Sequence, residues 1–411
     1  MRCDCASILE IAQNSEYVKE KLSVKLLDKR LGIKKFPFGS GVWRYREMVA
    51  PIDERFIVSR NEGNTSLYNS RRVSEFSGVK AKNLHLKAEG ENPTMSFKDR
   101  GMTVAVSAAN MLGYKRVACA STGNTSASMA SYAAFAQMEN FVFIPEGNIS
   151  MGKLSQALAY GANTLQINGN FDDAMELVQD ACSKIGLYLL NSINPFRIEG
   201  QKTIIIEAIQ QLSWNAPDWV VLPAGNLGNT SAIGKALKEM YEIGFIDSIP
   251  RIAAIQSDGA NPFYRSFKDD FESFSPVKNP ETIATAIKIG NPVSWKKAAD
   301  VIRFTKGIVE EVSDQQIMDA KFEIDRAGIG CEPASAASVA GLKKLVENGI
   351  IKHDESVVGI LTGNMLKDTD AIINYHSGKL KGIQTRNANV PVKVKGIDEI
   401  RKIIESSAKR R

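Results

Sequence analysis

From about residue 80 onward, short apolar runs alternate along the chain with longer stretches whose apolar positions have helical spacing. The short runs predict strands; they are "NLHLKAE", "KRVACAS", "NFVFIP", "NTLQIN", "LYLLN", "WVVLPAG", "RIAAIQ" and "ESVVGILTG". Helices are predicted between most of them, among others over residues 97–112, 125–137, 152–161 and 171–186. This alternation indicates an α/β fold with mostly parallel, open sheets flanked by helices. Ligands of such sheets bind beyond the carboxyl ends of the strands, so functional side chains are expected in the segments that follow them.

Length and charge narrow the class of protein further. The 411 residues exceed what one hydrophobic core usually serves, so two core regions are expected. The chain has 52 Lys and Arg residues against 46 Asp and Glu residues, a net charge of +6 that is spread along its length. So small an excess favours anionic small molecules and does not indicate a nucleic-acid partner.

The apolar runs and the cysteines bear on location and metal binding. No run is long enough to cross a bilayer, and "MRCDCASILEIAQ" has no apolar core with a cleavage site, so neither a membrane partner nor a secretory signal is predicted. Five scattered cysteines indicate reduced thiols in a cytoplasmic protein. Cys3 and Cys5 have the wrong spacing for a zinc knuckle and no second pair follows, so no metal site is predicted.

Two segments that follow predicted strands have the character of anion sites. "STGNTSAS", residues 121–128, opens a helix with small polar residues, and free N–H groups at a helix start favour anions. An N-capped helix with nothing bound fits this segment equally well. "PAGNLGNTSAIGKAL" has glycines at positions 225 and 228 that let backbone amides approach a phosphate closely. It matches neither the dinucleotide fingerprint nor a Walker loop, so one phosphate is the expected ligand.

Two further segments carry side chains that could be directed at a ligand. "LTGN" places the Thr362 hydroxyl at a strand end, where either a single aimed hydrogen bond or a simple turn is consistent with the sequence. "NSINPFRIEGQKT" brings Asn191, Ser192, Asn194 and Arg197 close together along the chain. Arg197 could bind a phosphate with two parallel hydrogen bonds, and a solvated turn with a surface arginine is the alternative.

One lysine has an unusual setting in "EGENPTMSFKDRGM". Ser96 is predicted to cap a helix with Asp99 as its acidic partner, which puts Lys98 in the first helical turn. The helix dipole there disfavours an ammonium and lowers the lysine pKa. A neutral amine is what a Schiff base with an aldehyde requires, although a solvent-exposed lysine would fit the sequence too. A reactive lysine, a single-phosphate site and a hydroxyl for a ring nitrogen are together the needs of pyridoxal phosphate.

The chain resembles the threonine synthase family, whose members are pyridoxal-phosphate enzymes of fold type II. The resemblance covers most of residues 43–370 in the family's order. The segments that carry it are "EGENPTMSFKDRGMTVAVSAA", "CASTGNTSAS", "GKLSQALAYGA", "GNFDDA", "LLNSINPFRIEGQKT", "PDWVVLPAGNLGNTSAI", "NPETIATAIKIGNPVSW", "EPASAASVAGLKKL" and "LTGNMLKDTD".

The resemblance implies a role for each candidate residue. Lys98 would bind the cofactor covalently and move protons at the substrate Cα, Asn124 would bond the ring hydroxyl, and Thr362 would face the ring nitrogen. The cofactor phosphate would be held by the backbone amides of Gly225, Asn226, Leu227, Gly228 and Asn229. The phosphate of O-phosphohomoserine would be bound by Ser121, Thr125, Asn191, Ser192 and Arg197. The implied reaction removes phosphate from Cγ and adds water at Cβ, which gives threonine and phosphate.

Other functions remain open at this level. A related scaffold makes cysteate from O-phosphoserine and sulfite, and this is the second interpretation. Deaminases of the same fold need no second phosphate-binding site, so Arg197 argues against them. An inactive, anion-binding regulator would not need Lys98.

The chain departs from the family pattern at three places. Leu227 replaces the commoner alanine, Asn364 and Met365 replace histidine and glycine, and the N-terminus lacks a Cys-x-x-Cys pair.

The resemblance also implies a domain arrangement and a homodimer. Residues 1–85 are expected to form a cap on a large cofactor-binding domain made of residues 86–114 and 196–385. Residues 115–195 are expected to form a small domain, with the active site between the two domains. Residues 386–411 form a basic tail, interpreted as solvated or frayed.

Overall fold

The computed structural model describes residues 8–146, 151–169, 171–386 and 388–408, so Cys3 and Cys5 lie outside the described residues. The strands are β1 (Leu67–Tyr68), β2 (Leu84–Ala88), β3 (Arg116–Ala120), β4 (Glu139–Pro145), β5 (Asn163–Ile167), β6 (Tyr188–Leu189), β7 (Trp219–Pro223), β8 (Arg251–Ser257), β9 (Ile308–Val312) and β10 (Val357–Leu361). The α-helices are α1 (Ser15–Lys21), α2 (Val24–Leu31), α3 (Arg46–Val49), α4 (Arg71–Ser77), α5 (Lys98–Met111), α6 (Asn124–Phe135), α7 (Met151–Ala159), α8 (Phe171–Ile185), α9 (Pro195–Gln201), α10 (Thr203–Gln211), α11 (Gly228–Glu242), α12 (Pro262–Lys268), α13 (Trp295–Phe304), α14 (Asp314–Arg326), α15 (Pro333–Glu347), α16 (Thr369–His376) and α17 (Ile397–Ala408).

The strands form two sheets. The larger sheet has the order β1-β2-β10-β7-β8-β9, and the smaller has the order β5-β4-β3-β6. Every pair is parallel except β1 with β2, which is antiparallel. The predicted α/β fold with mostly parallel sheets is confirmed, and each of the eight predicted runs contains a strand. The two strands missed from the sequence are β1 and β9.

The central strands of both sheets are buried on both faces, which explains why they read as continuous apolar runs. In β7, Val220 and Leu222 pack into one core cluster, while Trp219 and Val221 pack into a different cluster on the opposite face. Strand β3 of the smaller sheet divides its residues between two further clusters in the same way. Successive side chains of a strand point to opposite faces, so each sheet is covered by helices on both sides.

The chain separates into two compact units, residues 1–368 and residues 369–411. The first contains both sheets and every predicted site residue. The second contains α16 and α17, and its described side chains from position 388 to 405 are exposed. No described helix has the length and apolar character needed to cross a membrane. The finer division into a cap, a large domain and a small domain stays a prediction.

A buried ion network fixes the start of α5. Arg100 donates to Glu89 at 2.7 Å and to Glu207 of α10 at 2.8 Å. Glu207 also binds Lys87 of β2 at 2.7 Å and Arg44 at 2.7 Å. Removing one partner of a buried ion pair is strongly destabilising, so this network ties α5 to β2 and α10 two residues after Lys98.

Candidate active site

The predicted site residues follow the carboxyl ends of five strands. Lys98 comes after β2, Ser121 after β3, Asn191 after β6, Gly225 after β7 and Thr362 after β10. All five strands have a neighbour among the others: β2, β10 and β7 are consecutive in the larger sheet, and β3 pairs with β6 in the smaller one. The arrangement is the one expected for a ligand site of a parallel sheet.

Backbone hydrogen bonds join the lysine loop to the end of β10. The amide of Phe97 donates to the carbonyl of Thr362 at 3.0 Å, and the amide of Asn364 donates to the carbonyl of Met95 at 3.0 Å. Met95 adopts a left-handed φ of 68°, which an unstrained loop avoids for a residue with a side chain. The loop is therefore held in one conformation that delivers Lys98 beside Thr362.

Lys98 is the first residue of α5 and therefore lies in the first helical turn, as predicted. Its pKa is lowered mainly by burial and not by the helix start. Burial, and then the positive charge of Arg197, lowers the pKa of Lys98 to about 7, while Glu332 acts in the opposite direction. The side-chain nitrogen lies 4.0 Å from the centre of the Phe97 ring. Within the described residues no hydrogen bond or ion pair occupies this amine, so it can react.

The predicted capping pair at this helix is wrong. The N-cap position of α5 is Phe97, and no side chain caps the helix there. The buried Ser96 hydroxyl has no hydrogen-bond partner among the described residues. Asp99 instead accepts from the amide of Thr94 at 2.6 Å and from the hydroxyl of Ser128 at 2.5 Å. Burial raises the pKa of Asp99 to about 6, and these hydrogen bonds oppose the rise.

Thr362 and Asn124 contact residues that sequence reasoning missed. The hydroxyls of Thr362 and Ser335 are 2.9 Å apart, so Ser335 holds the threonine hydroxyl oxygen in place. The amide nitrogen of Asn124 lies 3.1 Å from each carboxylate oxygen of Glu332. Ser335 and Glu332 lie in the quoted "EPASAAS" segment, where an acid before a proline indicates only the start of a helix.

The loop between β7 and α11 has the form of a phosphate site. Leu227 occupies the N-cap position with a left-handed φ of 64°, and its side chain is buried in the core. Asn226 donates to the Ser192 hydroxyl at 3.0 Å and accepts from the amide of Val293 at 2.8 Å. These contacts hold the loop against two other segments, with the free amides of the α11 N-terminus beyond it.

Unsatisfied polar atoms lie directly at the start of α11. The side-chain nitrogen and oxygen of Asn229 and the hydroxyl of Thr230 are buried without a partner among the described residues. Buried polar groups are almost always hydrogen-bonded, so several unpaired polar atoms in one place indicate a ligand site. A phosphate, with its acceptor oxygens, fits the Asn229 nitrogen and the Thr230 hydroxyl as donors, which agrees with the pyridoxal phosphate implied by the resemblance.

Arg197 is a buried residue of α9, so the surface-arginine alternative is wrong. It is 2% exposed, one of its terminal nitrogens donates to the carbonyl of Leu190 at 3.1 Å, and its Nε has no partner among the described residues. Burial lowers the pKa of Arg197 to about 10, which leaves it charged at neutral pH. The helix is begun by Asn194, whose side chain accepts from the amide of Phe196.

The other predicted phosphate ligands differ in how free they are. The side-chain oxygen of Asn191 accepts from the amide of Ala120, and its side-chain nitrogen donates to the carbonyl of Ala120, both at 2.9 Å. One N–H of Asn191 therefore remains for a ligand. Ser192 accepts from Asn226 and keeps its own proton for donation. Ser121 and Thr125 are half-buried at the start of α6. No cluster of His, Cys, Asp or Glu side chains suited to a metal ion occurs in the described ranges, where no metal was predicted.

Comparison with known proteins bears on the family. The profile of a family described as "Pyridoxal-phosphate dependent enzyme" matches residues 58–363. A "Threonine synthase" from Methanocaldococcus jannaschii is 50% identical over 380 residues, which are 92% of this chain and 91% of that protein. "Threonine synthase 2, chloroplastic" from Arabidopsis thaliana is 40% identical over 396 residues, which cover 93% of this chain and 77% of that protein.

Solved structures show the same fold at lower identity. Maize serine racemase has a TM-score of 0.64 and 21% identity, over 77% of this chain and 94% of its own. Threonine deaminase isoform 2 from Solanum lycopersicum has a TM-score of 0.64 and 21% identity, over 79% of this chain and 89% of its own. These likenesses establish the architecture and leave the reaction to the residues of the site.

Proposed function

This chain belongs to the pyridoxal-phosphate dependent enzymes and, among them, to the threonine synthases, and from that premise we propose that it converts O-phospho-L-homoserine and water to L-threonine and phosphate. It is a lyase whose cofactor is pyridoxal 5'-phosphate. When bound, that cofactor withdraws electrons from the substrate's α-carbon, which labilises bonds at and beyond that carbon.

The observation that carries the proposal is a combination of Lys98, whose amine has no partner within the described residues, with two separate anion sites in segments that follow strands. The start of α11 offers unsatisfied donors at Asn229 and Thr230, and the buried Arg197 offers a second cationic position. A deaminase acting on a phosphate-free amino acid would need only the first site. A substrate with its own phosphate needs both.

Cofactor binding is assigned as follows. Lys98 would bind the cofactor's aldehyde carbon through its neutral amine, and the Asn124 amide would bond the ring hydroxyl. The backbone amides of Gly225–Asn229 would bind the phosphate. The Thr362 hydroxyl, held by Ser335, would bond the ring nitrogen without protonating it, because a hydroxyl is a far weaker acid than a carboxylic acid.

The substrate is oriented by the second anion site. Arg197 binds the substrate phosphate together with Ser121, Thr125, Asn191 and Ser192. The Lys98 amine would take the proton from the substrate Cα and return protons at the carbons that follow, because its lowered pKa makes it a base near neutral pH. Arg197 stabilises the charge of the departing phosphate.

We propose further that the enzyme is a cytoplasmic homodimer. Sedimentation of the purified protein is expected to give twice the chain mass of 45.0 kDa. A mass of one chain at micromolar concentration would refute the dimer and leave the reaction untouched.

Product identification tests the reaction. Purified protein loaded with cofactor is incubated with O-phosphohomoserine, and in a separate reaction with O-phosphoserine and sulfite. Threonine and phosphate are expected in equal amounts from the first mixture, and Lys98→Ala is expected to abolish them. Cysteate from the second mixture with no threonine from the first would falsify the proposal.

A further inference from the structure

We propose that Glu332 is a positioning residue for Asn124: its carboxylate takes one N–H of the Asn124 amide, so that the other N–H is directed to the ring hydroxyl of the cofactor. The inference rests on the proposed function, because it assumes that Asn124 bonds the cofactor. It adds a residue to which neither the sequence nor the family resemblance gave a role.

The contact joins two helix starts that are far apart in the chain. Asn124 is the first residue of α6, and Glu332 is the N-cap position of α15. Helix α6 packs on β3 and β4 of the smaller sheet, while α15 packs on β7, β8, β9 and β10 of the larger one. The amide nitrogen of Asn124 is 3.1 Å from both oxygens of Glu332, so the carboxylate accepts from it symmetrically. A primary amide has two N–H bonds, and this contact commits one of them.

Glu332 is itself held rigidly beside the end of β10. Its backbone amide donates to the carbonyl of Gly363 at 3.0 Å. A Cβ atom on Gly363 would lie 2.5 Å from a carboxylate oxygen of Glu332, so only glycine leaves room for the acid here. Gly363 follows Thr362 directly, and its amide donates to the Ser335 hydroxyl oxygen at 2.9 Å. The carboxylate therefore has one position relative to the residue assigned to the ring nitrogen.

The charges around Glu332 leave Asn124 as its main partner. Lys98 of α5, and Lys367 and Asp368 just after β10, are the charged groups that face it. Within the described residues, none of the lysines or arginines comes within ion-pair distance of its oxygens. Burial raises the pKa of Glu332, and the hydrogen bond from Asn124 and the charges of Lys367 and Lys98 oppose that rise. Because the acid is 5% exposed, loss of the Asn124 amide would leave Glu332 buried without its hydrogen bond.

Asn124 has no comparable alternative anchor. Among the described residues its side chain makes hydrogen bonds only to Glu332. Without the acid, the amide could rotate about its last side-chain bond, and its oxygen and nitrogen would exchange places. An amide oxygen facing the ring would repel an ionised ring hydroxyl, whereas the N–H attracts it. Glu332 therefore decides which end of the amide meets the cofactor.

A double-mutant cycle on cofactor affinity tests the inference. The dissociation constant of pyridoxal phosphate is measured by fluorescence titration for wild type, Glu332→Ala, Asn124→Ala and the double variant. Glu332→Ala is expected to weaken binding about tenfold, the worth of one hydrogen bond to a charged group. When Asn124 is already alanine, Glu332→Ala is expected to raise the dissociation constant less than about twofold, because no amide remains to be positioned.

Two further variants separate positioning from structural damage. Glu332→Gln keeps an acceptor oxygen, so it is expected to recover part of the affinity that Glu332→Ala loses. Glu310→Gln is the matched control, since Glu310 is also a buried acid but pairs with Lys344 at 3.0 Å, and it is expected to bind cofactor like wild type.

The outcomes are distinct. An equal loss of affinity in both backgrounds, or none in either, would overturn the inference even if wild type makes threonine. A wild-type protein that binds cofactor but makes no threonine would contradict the proposed reaction. The double-mutant cycle would still test the role of Glu332, because it measures cofactor affinity and not turnover. A wild-type protein that binds no cofactor would contradict both.

Discussion

Lys98 combines a partly buried amine, an aromatic ring at 4.0 Å and a buried arginine nearby. An ammonium in this place loses hydration and is repelled by Arg197, and both effects favour the neutral amine. Glu332 opposes them, so the pKa of about 7 results first from burial and then from two neighbours of opposite charge.

These opposing charges predict that two substitutions shift the pKa of Lys98 in opposite directions. Removing the positive charge with Arg197→Gln should raise the pKa of Lys98, and removing the negative charge with Glu332→Gln should lower it. The pKa is measured in cofactor-free protein as the pH midpoint of trace labelling with acetic anhydride, followed by peptide mapping of Lys98. Shifts of the same sign in both variants would contradict this electrostatic account, and Glu310→Gln serves as the control without a shift.

The second prediction at this scale concerns how Arg197 binds a phosphate. Arg197→Lys keeps a charge but loses the planar pair of donors. Cofactor affinity should be unchanged, while kcat/KM for O-phosphohomoserine should fall by about 1.5–3 kcal/mol, or roughly tenfold to a hundredfold. Slow deamination of threonine, which has no phosphate, is the control reaction. Equal losses on both substrates would mean that Arg197 supports the fold or binds the carboxylate.

Single residues were predictable from the sequence where the chemistry is local. The place of Lys98 in the first turn of a helix followed from its neighbours in the chain. The contact between Asn124 and Glu332 spans 208 positions, and no local pattern encodes it. The Ser96 cap failed because Thr94 and Ser128 satisfy Asp99 in the folded protein.

At the scale of elements, apolar runs predicted strands well except where a strand has two adjacent acidic residues or is only two residues long and outside an apolar run. Strand β9 has the sequence "IVEEV", which reads as a polar segment. Its Glu310 is nevertheless buried, because Lys344 of α15 pairs with it at 3.0 Å. Strand β1 is only two residues long and gives no periodicity to detect. Tertiary pairing, which a single sequence does not display, decided both cases.

The buried ion network around Arg100, at the start of α5, gives a prediction about stability. Arg100→Ala would leave Glu89 and Glu207 buried with fewer partners, so the free energy of unfolding should fall by about 3–5 kcal/mol. Arg116→Ala is the matched control, because its ion pair with Glu139 is 54% and 57% exposed and should contribute about 0–1 kcal/mol. Urea unfolding measures both. Equal small losses would show that the network does not hold the helix start.

At the scale of the whole molecule, the site is assembled from both sheets. Besides Asn124 with Glu332, the smaller sheet's side contributes Ser192, which accepts from Asn226 at 3.0 Å, and Gln156, which accepts from Lys367. The sequence indicated which segments follow strands, but the pairing of segments across two sheets depends on topology. The bounds of the domains built on these sheets stay a prediction.

The central claim is that phosphate leaves by cleavage of the carbon–oxygen bond and that water then adds to carbon. It is tested most directly by running the reaction with O-phosphohomoserine in water enriched in oxygen-18 and analysing both products by mass spectrometry. The account predicts one heavy oxygen in the hydroxyl of threonine and none in the released phosphate. Heavy oxygen in the phosphate, with homoserine as the other product, would show simple phosphoester hydrolysis and contradict it.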